Sequence, residues 1–159
     1  MSTKADYSKD EWDSLLKAPL MAAMAVVAAS PSGPIGAIQE MFAVGKGLIE
    51  GTQGTTNALI SDVVADVKAG NRPPTPAERP KDLAQAKAQA LGACREVAAL
   101  LARKAPGEAD GFKRWLLGTA QRAAEAAKEG GFLGIGGVQV SDAEKAALGE
   151  VAGALGLKA

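Results

Sequence analysis

The chain has 159 residues, which is enough for one compact domain with a buried core. Apolar residues make up 47% of the sequence but aromatic residues only 4%, and much of the apolar content is alanine. This composition favours closely packed helices over a β-sandwich, which would need more valine, isoleucine, threonine and tyrosine. We therefore expect an all-α, single-domain bundle of about six helices.

The absence of histidine and the single cysteine, Cys94, restrict the chemistry open to this chain. Histidine is the commonest general base and the commonest transition-metal ligand. One cysteine excludes an internal disulfide and any cysteine-cluster metal site. The usual zinc sites and the Ser–His and Cys–His nucleophile systems are therefore excluded. We expect Cys94 to be a buried structural thiol, since no base is available to ionise it.

Charge and hydropathy predict a soluble, cytoplasmic protein. Eighteen basic and eighteen acidic residues give zero formal charge, without the clustered basic face that nucleic acid requires. The N-terminal stretch "MSTKADYSKDEW" is polar and of mixed charge, unlike a signal peptide. No uncharged apolar run reaches the roughly 18 residues of a membrane-spanning helix. We expect neither a nucleic-acid partner nor a transmembrane segment.

The first helix is predicted from a capping box and an apolar repeat. Ser8 and Glu11 have the S-x-x-E spacing that begins a helix, and apolar residues then recur every three or four positions. This pattern predicts a helix over residues 9–29, bent or restarted at Pro19. Residues 1–8, with their single tyrosine, are predicted to be a flexible N-terminus.

Two further helices and a connector follow in the first half of the chain. Apolar spacing predicts a second helix over residues 35–50 and a short third helix over residues 59–67. Residues 69–80, "AGNRPPTPAERP", contain four prolines and form an extended connector. Neither side of it has an obvious core of its own, so residues 9–157 are predicted to be one domain.

The second half of the chain is predicted to hold three helices. The first of them is predicted over residues 81–104 and the next over residues 109–128. The sequence "APGEAD" ends the first of these two helices. "SDAE" is a second capping box, in which Ser141 caps the last helix and Glu144 reaches back to it. Gly156 stands where a C-terminal cap belongs.

The segment between the last two helices, residues 129–144, is "EGGFLGIGGVQVSDAE", which is glycine-rich and has no charged residue between Glu129 and Asp142. Connections between soluble helices are usually polar, so this composition needs a reason. We predict an ordered, inward-folded turn in which Phe132 and Leu133 close the end of the bundle, with Ile135 beside them. The alternative is an exposed docking patch for a partner or a membrane.

An internal duplication would account for this segment. Residues 28–36 align without gaps with residues 126–134, which pairs Gly33 with Gly131. Each copy is the end of an alanine-rich helix followed by a glycine turn and an amphipathic helix. The bundle would then consist of two related helix-turn-helix halves. The alternative is a chance match among alanines and glycines.

The C-terminal sequence "RAAEAAKEGGFLGIGGVQVSDAEKAALGEVAGALGL" resembles the TerB-like helical proteins of bacterial tellurite-resistance and stress systems. The matching positions are Ala126-Ala127, Val140-Ser141, Glu144 and Ala154-Leu155-Gly156-Leu157, and in the N-terminal copy Ala28-Ala29, Gly33 and Glu40. The resemblance implies a helical fold, and divalent-metal binding through an acidic residue before each turn glycine. This chain departs from that pattern, with Ser32 and Gly130 at those places.

Four carboxylates near the two glycine turns are the candidate metal ligands: Glu40, Glu129, Asp142 and Glu144. If they converge, their oxygens suit Ca²⁺ or Mg²⁺, which need hard ligands and no histidine. The alternative is that Asp142 and Glu144 serve the helix N-terminus through its dipole and the capping box. These two residues are also two positions apart, and so face different sides of a helix.

Two functional interpretations follow from these residues. The first is a non-catalytic helical interaction module of a bacterial stress-response or envelope-associated system, with a protein partner or a second copy of itself. It has no catalytic residue and no cofactor other than a weakly bound Ca²⁺ or Mg²⁺. The alternative is a small-ligand-binding protein, or a carboxylate-based enzyme, that uses an apolar pocket between helices.

Overall fold

A computed structural model describes residues 3–29, 57–71, 81–129 and 142–157. Its five α-helices are α1 (Lys9–Val27), α2 (Ala58–Lys68), α3 (Leu83–Lys104), α4 (Pro106–Glu129) and α5 (Asp142–Ala154). The described residues contain no strand, and the prediction of an all-α bundle is confirmed. About six helices were predicted; the one expected over residues 35–50 lies outside the described residues. None of the described helices is long and apolar enough to cross a membrane.

Helix α1 is the centre of the bundle and packs against all four other helices. Its C-terminal part, "LMAAMAVV", combines small and medium apolar residues, so neighbouring backbones can approach it from several sides. Leu15, Ala18, Ala22 and Val26 are all fully buried. A helix that is apolar around most of its circumference belongs in the interior.

The start of α1 confirms the predicted capping box. The hydroxyl of Ser8 accepts a hydrogen bond from the Glu11 N–H at 3.2 Å, and Glu11 Oε2 accepts one from the Ser8 N–H at 2.8 Å. A bend or a restart was predicted at Pro19, and the restart is wrong, because the helix runs through Pro19 from Lys9 to Val27. Pro19 is buried, and the apolar burial around it outweighs the hydrogen bond that proline cannot donate.

The described part of the N-terminal segment lies against the bundle. Residues Lys4–Asp6 form a 3₁₀ turn, and Tyr7 is buried against the bundle. The Tyr7 ring lies 5.7 Å from the Trp12 ring, centroid to centroid, at an angle of 47°. Tyr7 is thus one aromatic anchor of this segment on α1, and the flexibility of residues 1–8 stays a prediction.

The junction between α3 and α4 is tighter than "APGEAD" predicted. Only Ala105 separates the two helices, and α4 begins at Pro106 rather than near residue 109. Proline is favoured at the first position of a helix, where its missing N–H has no intrahelical partner in any case. The Ala105 N–H donates to the Leu101 carbonyl at 2.8 Å, which closes the end of α3.

The inward faces of α3, α4 and α5 are mainly apolar. The buried members are Cys94, Val97 and Leu101 on α3, Phe112, Trp115, Leu116, Thr119, Ala120 and Ala123 on α4, and Ala147 and Val151 on α5, followed by Leu155. Leu91 and Leu148 are only partly buried. The rings of Phe112 and Trp115 meet edge to face at 5.2 Å.

Glycine caps end both α2 and α5. Gly156 has φ of +72°, and the Leu157 N–H donates to the Ala152 carbonyl at 2.9 Å. This confirms the predicted C-terminal cap. Gly70 has φ of +88° at the end of α2, and the Asn71 N–H donates to the Asp66 carbonyl at 3.1 Å. Both are Schellman motifs, which use the left-handed conformation that glycine adopts without strain.

Candidate functional site

A cleft of about 460 Å³ lies where the N-terminal segment, the start of α1 and the end of α2 meet. We call it the N-terminal cleft. Its walls include two lysines, two aspartates and two aromatic residues: Lys4, Lys9, Asp13, Asp66, Tyr7 and Trp12. The sequence analysis did not predict this cleft.

The carboxylate of Asp66 is the most highly connected group in the N-terminal cleft. Its Oδ2 accepts hydrogen bonds from Lys4 Nζ at 2.6 Å and from Trp12 Nε1 at 2.7 Å. Its Oδ1 accepts a third from Asn71 Nδ2 at 3.3 Å. The bond from Lys4, followed by that from Trp12, lowers the pKa of Asp66 below its ordinary value. Asp66 is therefore ionised at neutral pH.

The local fold of α2 explains how Asp66 and Asn71 come together. The Schellman motif at Gly70 turns the chain back, so that the Asn71 backbone bonds to the Asp66 carbonyl and the Asn71 side chain reaches the Asp66 carboxylate. The carboxylate is thus fixed by its own helix end and by the Trp12 indole of α1.

A second lysine ties the N-terminal segment to α3. Lys104 Nζ donates to Glu11 Oε2 at 2.7 Å and to the Asp6 carbonyl at 2.9 Å, and it lies 5.5 Å from the centroid of the Tyr7 ring. The hydrogen bond from Lys104, followed by that from the Ser8 N–H, lowers the pKa of Glu11. Residues 3–8 are therefore held by contacts with α1, α2 and α3.

The other aspartate of the cleft, Asp13, pairs with Lys9 at 2.8 Å across one helical turn. The hydrogen bond from Lys9 to Asp13 raises the pKa of Lys9. In both ion pairs of the cleft the aspartate side chain is mostly buried and the lysine side chain is mostly exposed. The side chains of Asp13 and Asp66 are 17% and 18% exposed, whereas those of Lys9 and Lys4 are 83% and 56% exposed.

The structure separates two of the four predicted metal ligands. Asp142 is exposed, whereas Glu144 is only 2% exposed, so the two lie on different sides of α5 as their spacing predicted. Glu40 and the side chain of Glu129 lie outside the described residues. Within the described part of the chain, no three or more Asp, Glu, Cys or His side chains form a group suited to a metal ion. The metal site stays a prediction.

The other predicted site residues, Phe132, Leu133 and Ile135, lie outside the described residues. Their assignment to core packing or to a docking patch also stays a prediction.

Cys94 is fully buried, as predicted, and burial raises the pKa of its thiol to about 11. We expect Ellman's reagent at about pH 8 to modify Cys94 very slowly in the folded protein and rapidly in denaturant, because only the exposed thiolate reacts. The time course of absorbance checks this. A native thiol that reacts as fast as the denatured one would contradict the buried position.

The contacts of Asp66 predict how the stability of the fold depends on pH. The pKa of the Asp66 carboxyl is lower in the folded than in the unfolded protein, where it is about 4. Its ionisation therefore stabilises the fold at any pH above about 4. This contribution is lost as the pH falls through the folded-state pKa. We expect Asp66→Asn to be less stable than the wild type at about pH 7, and the difference to shrink at about pH 3. Urea unfolding of both proteins at each pH measures it. A difference that does not change with pH would show that ionisation of Asp66 is unimportant.

Comparisons of the whole chain with protein-family models, with curated proteins and with solved structures found no match. The resemblance to TerB-like proteins therefore stays a prediction.

The pairing of Trp12 and Asp66 could not be predicted from the sequence, because these residues are 54 positions apart. They lie on different predicted helices, and helical periodicity does not show which helices pack together. One local signal was available: Gly70-Asn71 after an apolar helix is a recognisable C-terminal cap. That cap marks the end of α2, but the sequence does not show what α2 packs against.

Proposed function

We propose that this chain is a non-catalytic helical interaction module that binds a protein partner. One observation carries the proposal: aromatic and charged side chains from the N-terminal segment, α1 and α2 together line the N-terminal cleft. Where the pKa of a described side chain is clearly changed, the direction is away from neutrality, lowered for Glu11 and Asp66 and raised for Lys9 and Cys94. These directions agree with a non-catalytic role, because acid–base catalysis uses a group tuned toward the working pH.

The ion pairs of the N-terminal cleft support the same proposal. Asp66 is bonded to Lys4 and Asp13 to Lys9, so these acids are neutralised rather than held ready to accept a proton. Aromatic side chains are enriched at surfaces that bind protein partners, and charged groups there contribute specificity through electrostatic complementarity.

The biological setting of the proposal comes from the resemblance to TerB-like proteins. On that basis the module acts in the cytoplasm in a bacterial stress-response or envelope-associated system, as a monomer or a homodimer. A weak Ca²⁺ or Mg²⁺ site at Glu40, Glu129, Asp142 and Glu144 remains part of the proposal.

A second candidate function is the binding of a small ligand. The observation in its favour is the volume of the N-terminal cleft, about 460 Å³, which falls within the roughly 300–1,000 Å³ of ligand pockets. The lining is less apolar than in most such pockets, because it includes two lysine–aspartate pairs.

Thermal unfolding and a turnover assay on the full chain together test the proposed function. We expect no hydrolysis of ester, amide or phosphate substrates, and no rise in melting temperature with nucleotides or lipids. A rise with Ca²⁺ in the wild type but not in Glu144→Gln would support the metal site. Saturable hydrolysis that Glu144→Gln abolishes would overturn the non-catalytic interpretation.

A further inference from the structure

We infer that the N-terminal cleft is a recognition site for lysine or arginine side chains of a partner peptide, and that Lys4 occupies this site as a substitute for the partner. The inference rests on the proposed interaction function and names the chemistry of the partner. It is carried by the contacts of Asp66, by the position of Lys4 and by the exposure of the two ion pairs.

The Asp66 carboxylate, which is the hydrogen-bond acceptor of the site, is held in place by contacts other than the one with Lys4. Trp12 Nε1 and Asn71 Nδ2, both uncharged donors, bond to the two oxygens of the Asp66 carboxylate at 2.7 and 3.3 Å. The Schellman motif at Gly70 fixes the backbone beneath them. If Lys4 leaves, the carboxylate keeps its orientation, and such preorganisation lowers the cost of binding another cation.

The structure shows an ammonium group bound at this position. Lys4 Nζ lies 2.6 Å from Asp66 Oδ2 and 5.8 Å from the centroid of the Trp12 ring. A carboxylate and an aromatic ring each attract a cation, and the charged hydrogen bond gives the contact direction. The ammonium of a partner lysine, or an arginine guanidinium, meets the same two groups.

Lys4 is placed where it can be exchanged. More than half of its side chain is exposed, and it comes from a three-residue 3₁₀ turn. Exposed ion pairs contribute little to stability, so replacement of one lysine by another costs little.

The second pair of the cleft extends the site to two cations. Asp13 is as recessed as Asp66, and its lysine, Lys9, is more exposed than Lys4. With both lysines displaced, two carboxylates would face the cleft from α1 and α2. This favours a partner segment that carries two or more basic side chains.

Competition with the tethered Lys4 favours a peptide over a free amine. A tethered group acts at an effective concentration of about the millimolar range, so a ligand with one contact rarely displaces it. A peptide adds main-chain and side-chain contacts along the cleft beside Tyr7 and Leu16. These additional contacts can outweigh the advantage that Lys4 gains from its tether.

An acetylated and amidated tetralysine peptide is the probe that tests this inference. We titrate it into the full-length wild type, Lys4→Gln and Lys145→Gln, and follow the indole N–H signal of Trp12 by NMR. Lys145 is an exposed lysine of α5, so its substitution makes the same change in net charge away from the cleft. Removal of the competing Lys4 should tighten binding by about tenfold relative to both other proteins.

Substitution of the acceptor provides the second arm. In the Lys4→Gln background, Asp66→Asn should abolish binding and Asn71→Ala should weaken it, with folding checked from the remaining amide signals. Equal affinity in Lys4→Gln and Lys145→Gln, or binding that survives Asp66→Asn, would overturn the inference. Spermidine binding as tight as the peptide would overturn the assignment of a peptide. These outcomes are independent of the turnover assay, so the proposed function can stand if this inference fails.

Discussion

Phe112→Ala should lower the free energy of unfolding by about 3–5 kcal/mol, the usual cost of truncating a buried aromatic ring. Phe112 is fully buried in α4 and packs edge to face against Trp115, so its removal leaves a cavity in the centre of the bundle. Urea-induced unfolding, followed by the circular dichroism of the helices, measures the change.

Phe112→Leu is the control for this prediction, because leucine keeps most of the apolar volume. We expect it to cost clearly less than the alanine variant, about 1–1.5 kcal/mol. If Phe112→Ala costs less than about 0.5 kcal/mol, the typical range for a surface substitution, the ring is not in the core and the packing of α4 against α1 is wrong.

Trp12→Ala should also cost about 3–5 kcal/mol, for two separable reasons. The indole of Trp12, which belongs to α1, is buried and packs against Tyr7 of the N-terminal segment. Its Nε1–H donates to Asp66 at 2.7 Å. Trp12→Phe keeps most of the packing and removes the donor, so it should cost about 1.5–3 kcal/mol, the range of a hydrogen bond to a charged group.

A double-mutant cycle that combines Trp12→Phe with Asp66→Asn measures how much of the lost stability comes from the hydrogen bond between Trp12 and Asp66. We expect Trp12→Phe to cost less in the Asp66→Asn background than in the wild type, because the charged acceptor is then absent. Equal losses in the two backgrounds would show that Trp12 acts through packing alone.

The helices could be predicted because the determinants of each are local. Leu59, Ile60, Val63 and Val64 recur at helical spacing, and all four are buried in α2. Ser8 caps its own helix through Glu11, three residues away. Apolar periodicity and capping act within one or two turns, so a single sequence contains the information needed to locate them.

The places where prediction failed depend on tertiary contacts. Pro19 was expected to bend or restart α1; no restart occurs, because the burial of the surrounding residues keeps the helix continuous. The contacts of the N-terminal segment were not predicted: Tyr7 packs beside Trp12, and Lys104 of α3 donates to the Asp6 carbonyl. Local patterns do not report such contacts, because the partner residue lies elsewhere in the chain.

The N-terminal cleft could not be predicted for the same reason. It forms only when Lys4, Trp12 and Asp66 meet, and Lys4 and Asp66 are 62 positions apart in the sequence. Considered one at a time, Lys4 is a lysine of the N-terminal segment, Trp12 is a core aromatic residue and Asp66 is a surface acid. They come into contact only because α2 packs beside α1.

Site-specific photo-crosslinking in bacterial cells tests the interaction function most directly. A photoreactive phenylalanine derivative is placed at position 9, on the exposed rim of the N-terminal cleft, or at position 145 on α5 as the control. We predict a discrete protein adduct from position 9 and none from position 145. Adducts from position 145 alone, or from neither position, would contradict the proposal that this chain binds a protein through the N-terminal cleft.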